Sequence, residues 1–277
     1  MSATTVETLE RIILVHGLQR SGSHAIVYWI QGETEIPLFK NLVPIGPILS
    51  GHAAMPNPRD FAGWLQEPAQ TKRMRRAPRR DQIIVGLEDH ALDLVPFSGV
   101  PCPIVNVLIL RDPFNLFASR IRRAAVSDAP QYAPRHIPRA VELWKRHALE
   151  FLDRTRLLEN KVCVYYNEWF RSRTYRERTS ATLGFENCEA RFARVPGAGG
   201  GSSFDGRRFY GRNTEMNVLD RVSQLHPDER RLLDASLGHE DIHGLAAAVR
   251  DATSDSPPDA KPGWSNPRVL RTRQREP

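Results

Sequence analysis

The stretch Arg11-Ile12-Ile13-Leu14-Val15-His16-Gly17-Leu18-Gln19-Arg20-Ser21-Gly22-Ser23-His24 decides how the rest of the chain is read. A short, partly β-branched apolar run feeds a polar turn bracketed by glycines. That turn feeds Ala25-Ile26-Val27-Tyr28-Trp29-Ile30, an apolar stretch suited to a buried helix. The order is strand, turn, helix. Glycines at 17 and 22 can take backbone angles closed to other residues, so successive N–H groups can turn inward. The unpaired N–H groups of the following helix start point to the same place, which makes the turn a cradle for an anion such as phosphate or sulfate.

The Gly17-to-Gly22 spacing is that of a nucleotide P-loop, which continues with Lys and then Ser or Thr to hold the β- and γ-phosphates and Mg²⁺. Here Ser23 and His24 stand in those places and the cation lies inside the turn, at Arg20. A site that hydrolyses ATP or GTP with the usual metal ligand is therefore disfavoured. On this stretch alone, a tight strand-to-helix turn with no ligand fits equally well.

Working outward, Ile104 to Leu110 reads as a second buried strand, followed at once by Arg111-Asp112-Pro113-Phe114-Asn115-Leu116-Phe117-Ala118-Ser119-Arg120. Asp112 and Pro113 suit N-cap and first helical position. Phe114, Leu116, Phe117 and Ile121 can face a sheet, with Arg120, Arg122 and Arg123 on the polar side. Asp81 to Leu87 reads as another strand, delivering Glu88-Asp89-His90 to its carboxyl end, where open parallel sheets bind ligands. A long amphipathic helix is expected over 139–159 and a further strand over 161–166. Asn167 is expected to cap a helix running towards Gly184, and two closing helices are expected over 227–233 and 242–249.

The two strand-then-turn stretches together resemble the PAPS-dependent sulfotransferases, where PAPS is 3′-phosphoadenosine 5′-phosphosulfate. Arg20-Ser21-Gly22-Ser23 matches the family's loop for the 5′-phosphosulfate, and Arg111 with Ser119, eight positions later, matches its 3′-phosphate pair. The resemblance implies a three-layer α/β/α sandwich around a mainly parallel sheet, like that of P-loop NTPases. It implies an enzyme that transfers a sulfuryl group from PAPS to an acceptor hydroxyl or amine without a metal. Arg20, Ser21, Gly22, Ser23 and His24 would hold the donor, with Arg111 and Ser119 on its 3′-phosphate. Gly206-Arg207 would be the late loop that closes over the nucleotide, although by composition 197–209 is also a flexible linker. The base would be Glu88 or His90. Alignment on Pro96 points instead to Asp89, which could also simply cap the following helix.

The 277 residues suffice for one large α/β domain, expected over 10–250 after an N-terminal extension of residues 1–9. The Gly- and Pro-rich 32–80 region is read as acceptor-binding loops, and 251–277 as a disordered tail. A net charge of +7 implies an anionic partner. The run from Lys72 to Arg80 lacks interleaved aromatics, which argues against nucleic acid, although a non-catalytic polyanion-binding protein and a P-loop kinase with a degenerate loop remain the competing classes. Cys102, Cys163 and Cys188 have no metal or redox spacing and are expected to be reduced. With no signal-like N-terminus and no long apolar run, a cytoplasmic protein without a transmembrane segment is expected.

Overall fold

The computed structural model describes residues 11–30, 39–41, 82–93, 103–127, 130–185, 189–193, 201–206 and 208–254. Most of 32–80, and with it the expected acceptor loops and basic run, lies outside the described residues, as do 1–10, Arg207 and 255–277; the tail expected to be disordered from 251 is instead helical over its first four residues. The sheet is built from β1 (Arg11–Gly17), β2 (Phe39–Asn41), β3 (Gln82–Glu88), β4 (Ile104–Leu110) and β5 (Lys161–Tyr165). Its order is β2-β3-β1-β4-β5 and every described pairing is parallel. An all-parallel sheet is buried on both faces, and β1 accordingly alternates nothing: each of its seven residues is buried, from Arg11 to Gly17.

From β1 the chain crosses through α1 (Ser23–Ile30) to one edge, and from β4 it crosses through α2 (Pro113–Val126) and α3 (Ile137–Phe151) to the other. Because such crossovers are right-handed, opposite directions put α1 on one face and α2 with α3 on the other. The outcome is a helix–sheet–helix sandwich with a crevice at the carboxyl ends of β1 and β4, where the crossovers diverge. The second helix layer is completed by α7 (Pro227–Leu237) and α8 (Glu240–Ser254). α7 packs on α2 and α3, and α8 packs on α3.

Three expected elements are corrected. The long helix starts earlier and ends at Phe151, because the buried Glu150 carboxylate accepts the Leu157 and Leu158 amides at 2.9 and 3.2 Å and turns the chain into β5. The helix expected from Asn167 splits into α4 (Tyr166–Arg171) and α5 (Arg173–Thr182) around the extended Ser172, whose hydroxyl caps α5 at Tyr175 N. Asn167 lies inside α4, where its amide oxygen accepts from Asp112 N at 3.2 Å. Arg120, expected on the polar side of α2, is buried against Asp89. A short helix α6 (Glu189–Phe192) packs on α1. Among the described residues no helix is long and apolar enough to cross a membrane.

Candidate functional site

The loop after β1 is pinned at each residue by a different means. Gln19 N donates to Asp89 Oδ1 at 2.9 Å, Ser21 N to Leu18 O at 3.0 Å, and the Ser21 and Ser23 hydroxyls are 3.0 Å apart. Arg20 has φ of 74° and Gly22 of 91°, both left-handed. At Gly22 glycine is required twice over, since a Cβ there would also lie 2.2 Å from the Tyr166 ring. The sequence therefore folds the turn tightly against α4, and Ser23 and His24, which open α1, line a cavity of about 440 Å³.

Arginines from three separate segments line that cavity. Arg20 donates to Gly201 O at 2.9 Å. Arg111, at the end of β4, donates to Arg20 O at 2.8 Å, to Val218 O at 2.6 Å and to Ser119 Oγ at 3.4 Å, with its guanidinium 4.9 Å from the Tyr166 ring centre. Both of its terminal nitrogens are thus engaged, and the buried Nε is the atom without a partner among the described residues. Arg221, 2% exposed, is held by Asp205 and Ser202 at 2.6 and 3.1 Å. Burial pushes the Arg20 and Arg111 guanidinium groups below their ordinary range, and neighbouring arginines push the same way. Such a cluster favours a bound anion, which offsets both costs.

Of the three ionisable residues at the carboxyl end of β3, Glu88 alone lines the cavity. Gly17 and Glu88 are paired in the β1–β3 ladder, and Glu88 Oε1 stands 3.7 Å from His24 Nδ1. Asp89, with φ of 60°, turns the chain inward, and both its oxygens accept from Arg120 at 2.8 and 3.0 Å. That turn leaves His90 buried away from the cavity walls, its carbonyl 3.0 Å from His147 Nε2. Asp89 therefore works as a loop anchor, not as the cap of a following helix.

Of the expected donor-site residues, Arg20, Gly22, Ser23, His24, Arg111 and Ser119 line the one cavity, while Ser21 lies fully buried behind them. Ser119 Oγ donates to Asn115 O at 2.8 Å. Gly206 closes a small antiparallel bridge with Ser202 and is not on the cavity wall; Gly201, Ser202 and Ser203 of the same turn are. Arg207 lies outside the described residues. From 201 onward the stretch expected to be a flexible linker is instead a turn held by Arg20 and Arg221.

The sequence reading missed Tyr132, Tyr166, Trp169 and Arg221, all on the cavity wall. Tyr132 interacts with Arg20 and burial pushes its hydroxyl up, against the opposing pull of that arginine. It lies in a proline-interrupted segment with no periodic pattern, and Arg221 sits in no motif. The aromatic run of α4 was the legible signal, but it reads equally as core. Five buried polar atoms on cavity-lining residues lack partners among the described residues: Gln19 Oε1, Arg111 Nε, Trp169 Nε1, Ser203 Oγ and Asn213 Oδ1. Arg111 Nε, Trp169 Nε1 and Ser203 Oγ are donors and the two amide oxygens are acceptors, so with the glycine-built turn they suit a ligand that carries anionic groups and also hydrogen-bond donors.

No family model matches the chain, and no curated protein does. Among solved structures it is similar to mouse sulfotransferase SULT7A1 complexed with PAP, at 13% identity and a TM-score of 0.41, over 89% of this chain and 92% of that one.

Proposed function

We propose that the protein is a sulfotransferase that binds PAPS in this cavity and passes its sulfuryl group to an acceptor hydroxyl or amine. The observation that carries the reading is the convergence, on one cavity, of the glycine-built turn after β1 and of Arg111 with Ser119 after β4, two motifs 91 residues apart at Arg20 and Arg111. The unpartnered Arg111 Nε and Ser203 Oγ are donors that a phosphate would satisfy, so the residues present fit the donor.

PAPS, when bound, supplies an activated sulfuryl group on a good leaving group. The amides of Gly22 and Ser23 and the start of α1 would hold the 5′-phosphosulfate. Arg20, half-buried and fixed by Gly201, would stabilise negative charge growing on the bridging oxygen, in a setting that needs no reorganisation. Arg111 and Ser119 would bind the 3′-phosphate, with the Ser119 hydroxyl turning from Asn115 O towards it. Glu88 puts a carboxylate on the same wall, where removal of the acceptor proton is needed. A transferring sulfuryl carries less negative charge than a phosphoryl, so fixed cations can serve where a kinase uses Mg²⁺.

Calorimetric titration with adenosine 3′,5′-bisphosphate, without metal and beside ATP with Mg²⁺, tests the reading. Binding of the bisphosphate that is lost in Arg20→Ala and Arg111→Ala is expected. No bisphosphate binding by the wild type would overturn it, and ATP binding in its place would favour a kinase.

A further inference from the structure

We infer that the acceptor's proton is taken by His24, with Glu88 as the carboxylate that orients it; this assignment rests on the sulfuryl-transfer reading above. His24 occupies the place where a nucleotide P-loop has its metal-binding hydroxyl, and no metal role is left for it in this chemistry. It is the second residue of α1, held by the same turn that forms the anion cradle. Glu88 is the last residue of β3, fixed by its ladder partner Gly17. Both line the cavity, 3.7 Å apart at His24 Nδ1 and Glu88 Oε1. Two rigid elements thus present an imidazole and a carboxylate to one space.

The division of labour follows from the ring. At 3.7 Å the two are within ion-pair range though not hydrogen-bonded, and a carboxylate on the Nδ1 side favours a hydrogen there, with the lone pair on Nε2 at the other side of the ring. The His24 side chain is 26% exposed and that of Glu88 6%, so His24 is the more accessible to an acceptor. An imidazole is also better matched than a carboxylate to deprotonate a hydroxyl near neutral pH. Asp89 is unsuited because both its oxygens serve Arg120, and His90 because it stands away from the cavity. Among the described residues the other ionisable groups that line the cavity are Arg20, Arg111, Arg123, Tyr132, Tyr166 and Arg221. Glu88 is the carboxylate among them that balances an imidazolium.

In the step, an acceptor lone pair forms the new bond to sulfur while the bond from sulfur to the bridging phosphate oxygen breaks. That electron pair leaves with the bisphosphate, beside Arg20. The acceptor's proton passes to His24 Nε2, and nothing is oxidised or reduced.

The test uses the full chain with ¹⁵N-labelled histidine, its His24 signals identified by their loss in His24→Gln. The expected result is an Nδ1–H tautomer in the wild type that moves towards Nε2–H in Glu88→Gln. An Nε2–H tautomer in the wild type, or one unmoved by Glu88→Gln, would overturn the pair. Sulfate release from ³⁵S-labelled PAPS, with water as acceptor, is expected to drop about 100-fold in His24→Gln, the lower range for loss of a general base. Because the variant keeps the backbone amide that the anion cradle uses, its loss of release rate should exceed any loss of bisphosphate affinity by at least about tenfold, as a proton-acceptor role requires. An undiminished release rate, or a wild-type rate no faster than buffer, would overturn that role. Failure of the wild type to bind the bisphosphate would instead overturn the sulfuryl-transfer reading, with the tautomer still reporting on the pair.

Discussion

At the scale of single residues, Gly22 makes the strongest demand on the sequence. A methyl group there meets both a left-handed backbone and the face of Tyr166, and Tyr166 is itself held under Arg111. Gly22→Ala should cost about 1–3 kcal/mol in urea unfolding and abolish bisphosphate binding in calorimetry. Two buried histidines make a different demand. Burial pushes His16 and His147 each down to about 4, His16 despite its 2.8 Å bond to Asn106 and His147 despite its bond to the His90 carbonyl. In the unfolded chain an imidazole takes its proton near pH 6.5. Stability is therefore full above pH 6.5 and falls as the pH drops to about 4, by roughly 3 kcal/mol for each histidine, because the unfolded chain accepts protons that the fold refuses. Urea unfolding at pH 7, 6 and 5 should show this slope, and His147→Gln should lessen it by about half.

At the scale of elements, the buried pair of Arg120 and Asp89 ties three of them together. Arg120 comes from α2 and Asp89 from the end of β3, and both reach Gln19 in the loop after β1, at 3.3 Å to its carbonyl and 2.9 Å from its amide. Removing one partner leaves a buried charge, so Asp89→Asn should lower stability by about 3–5 kcal/mol in denaturant titration. It should also weaken bisphosphate binding in the fraction that stays folded, although neither residue lines the cavity. The double variant Asp89→Asn, Arg120→Gln should recover much of the stability and little of the binding. This contact also marks where the sequence stopped being readable. The strands β1, β3, β4 and β5 announced themselves as apolar runs, and Asp112-Pro113 announced the start of α2. Arg120 falls on the polar face of any helical pattern, and its burial is decided by a carboxylate 31 residues away in sequence. Ser172 and Glu150 are of the same kind: one opens a helix and the other turns the chain away from one, each through a side-chain bond that periodicity does not encode.

At the scale of the whole molecule, the two ends of the proposed donor are held by segments that meet only in the folded state. A ligand that bridges them stabilises the entire domain. Adenosine 3′,5′-bisphosphate at about 100 times its dissociation constant should add ~2.7 kcal/mol, or raise the thermal midpoint by about 5–10 °C, and Arg111→Ala should erase the shift. Here the sequence was informative for a physical reason. A strand followed by a glycine turn or by Arg-Asp-Pro is local, whereas the third wall of the cavity, with Gly201, Ser203, Val218 and Arg221, is built from irregular chain whose place is fixed by contacts alone.

The strand order has one more consequence, for synthesis. β1 is made first and sits at the centre of the sheet, between partners that begin at Gln82 and Ile104. When β1 leaves the ribosome, neither neighbour exists. At about 5–20 residues per second, a strand buried along its whole length waits several seconds for its first partner. The chain is therefore prone to aggregate while it is being made, and its yield should depend on chaperones that shield the segment from β1 to β3 more than on the stability of the finished fold.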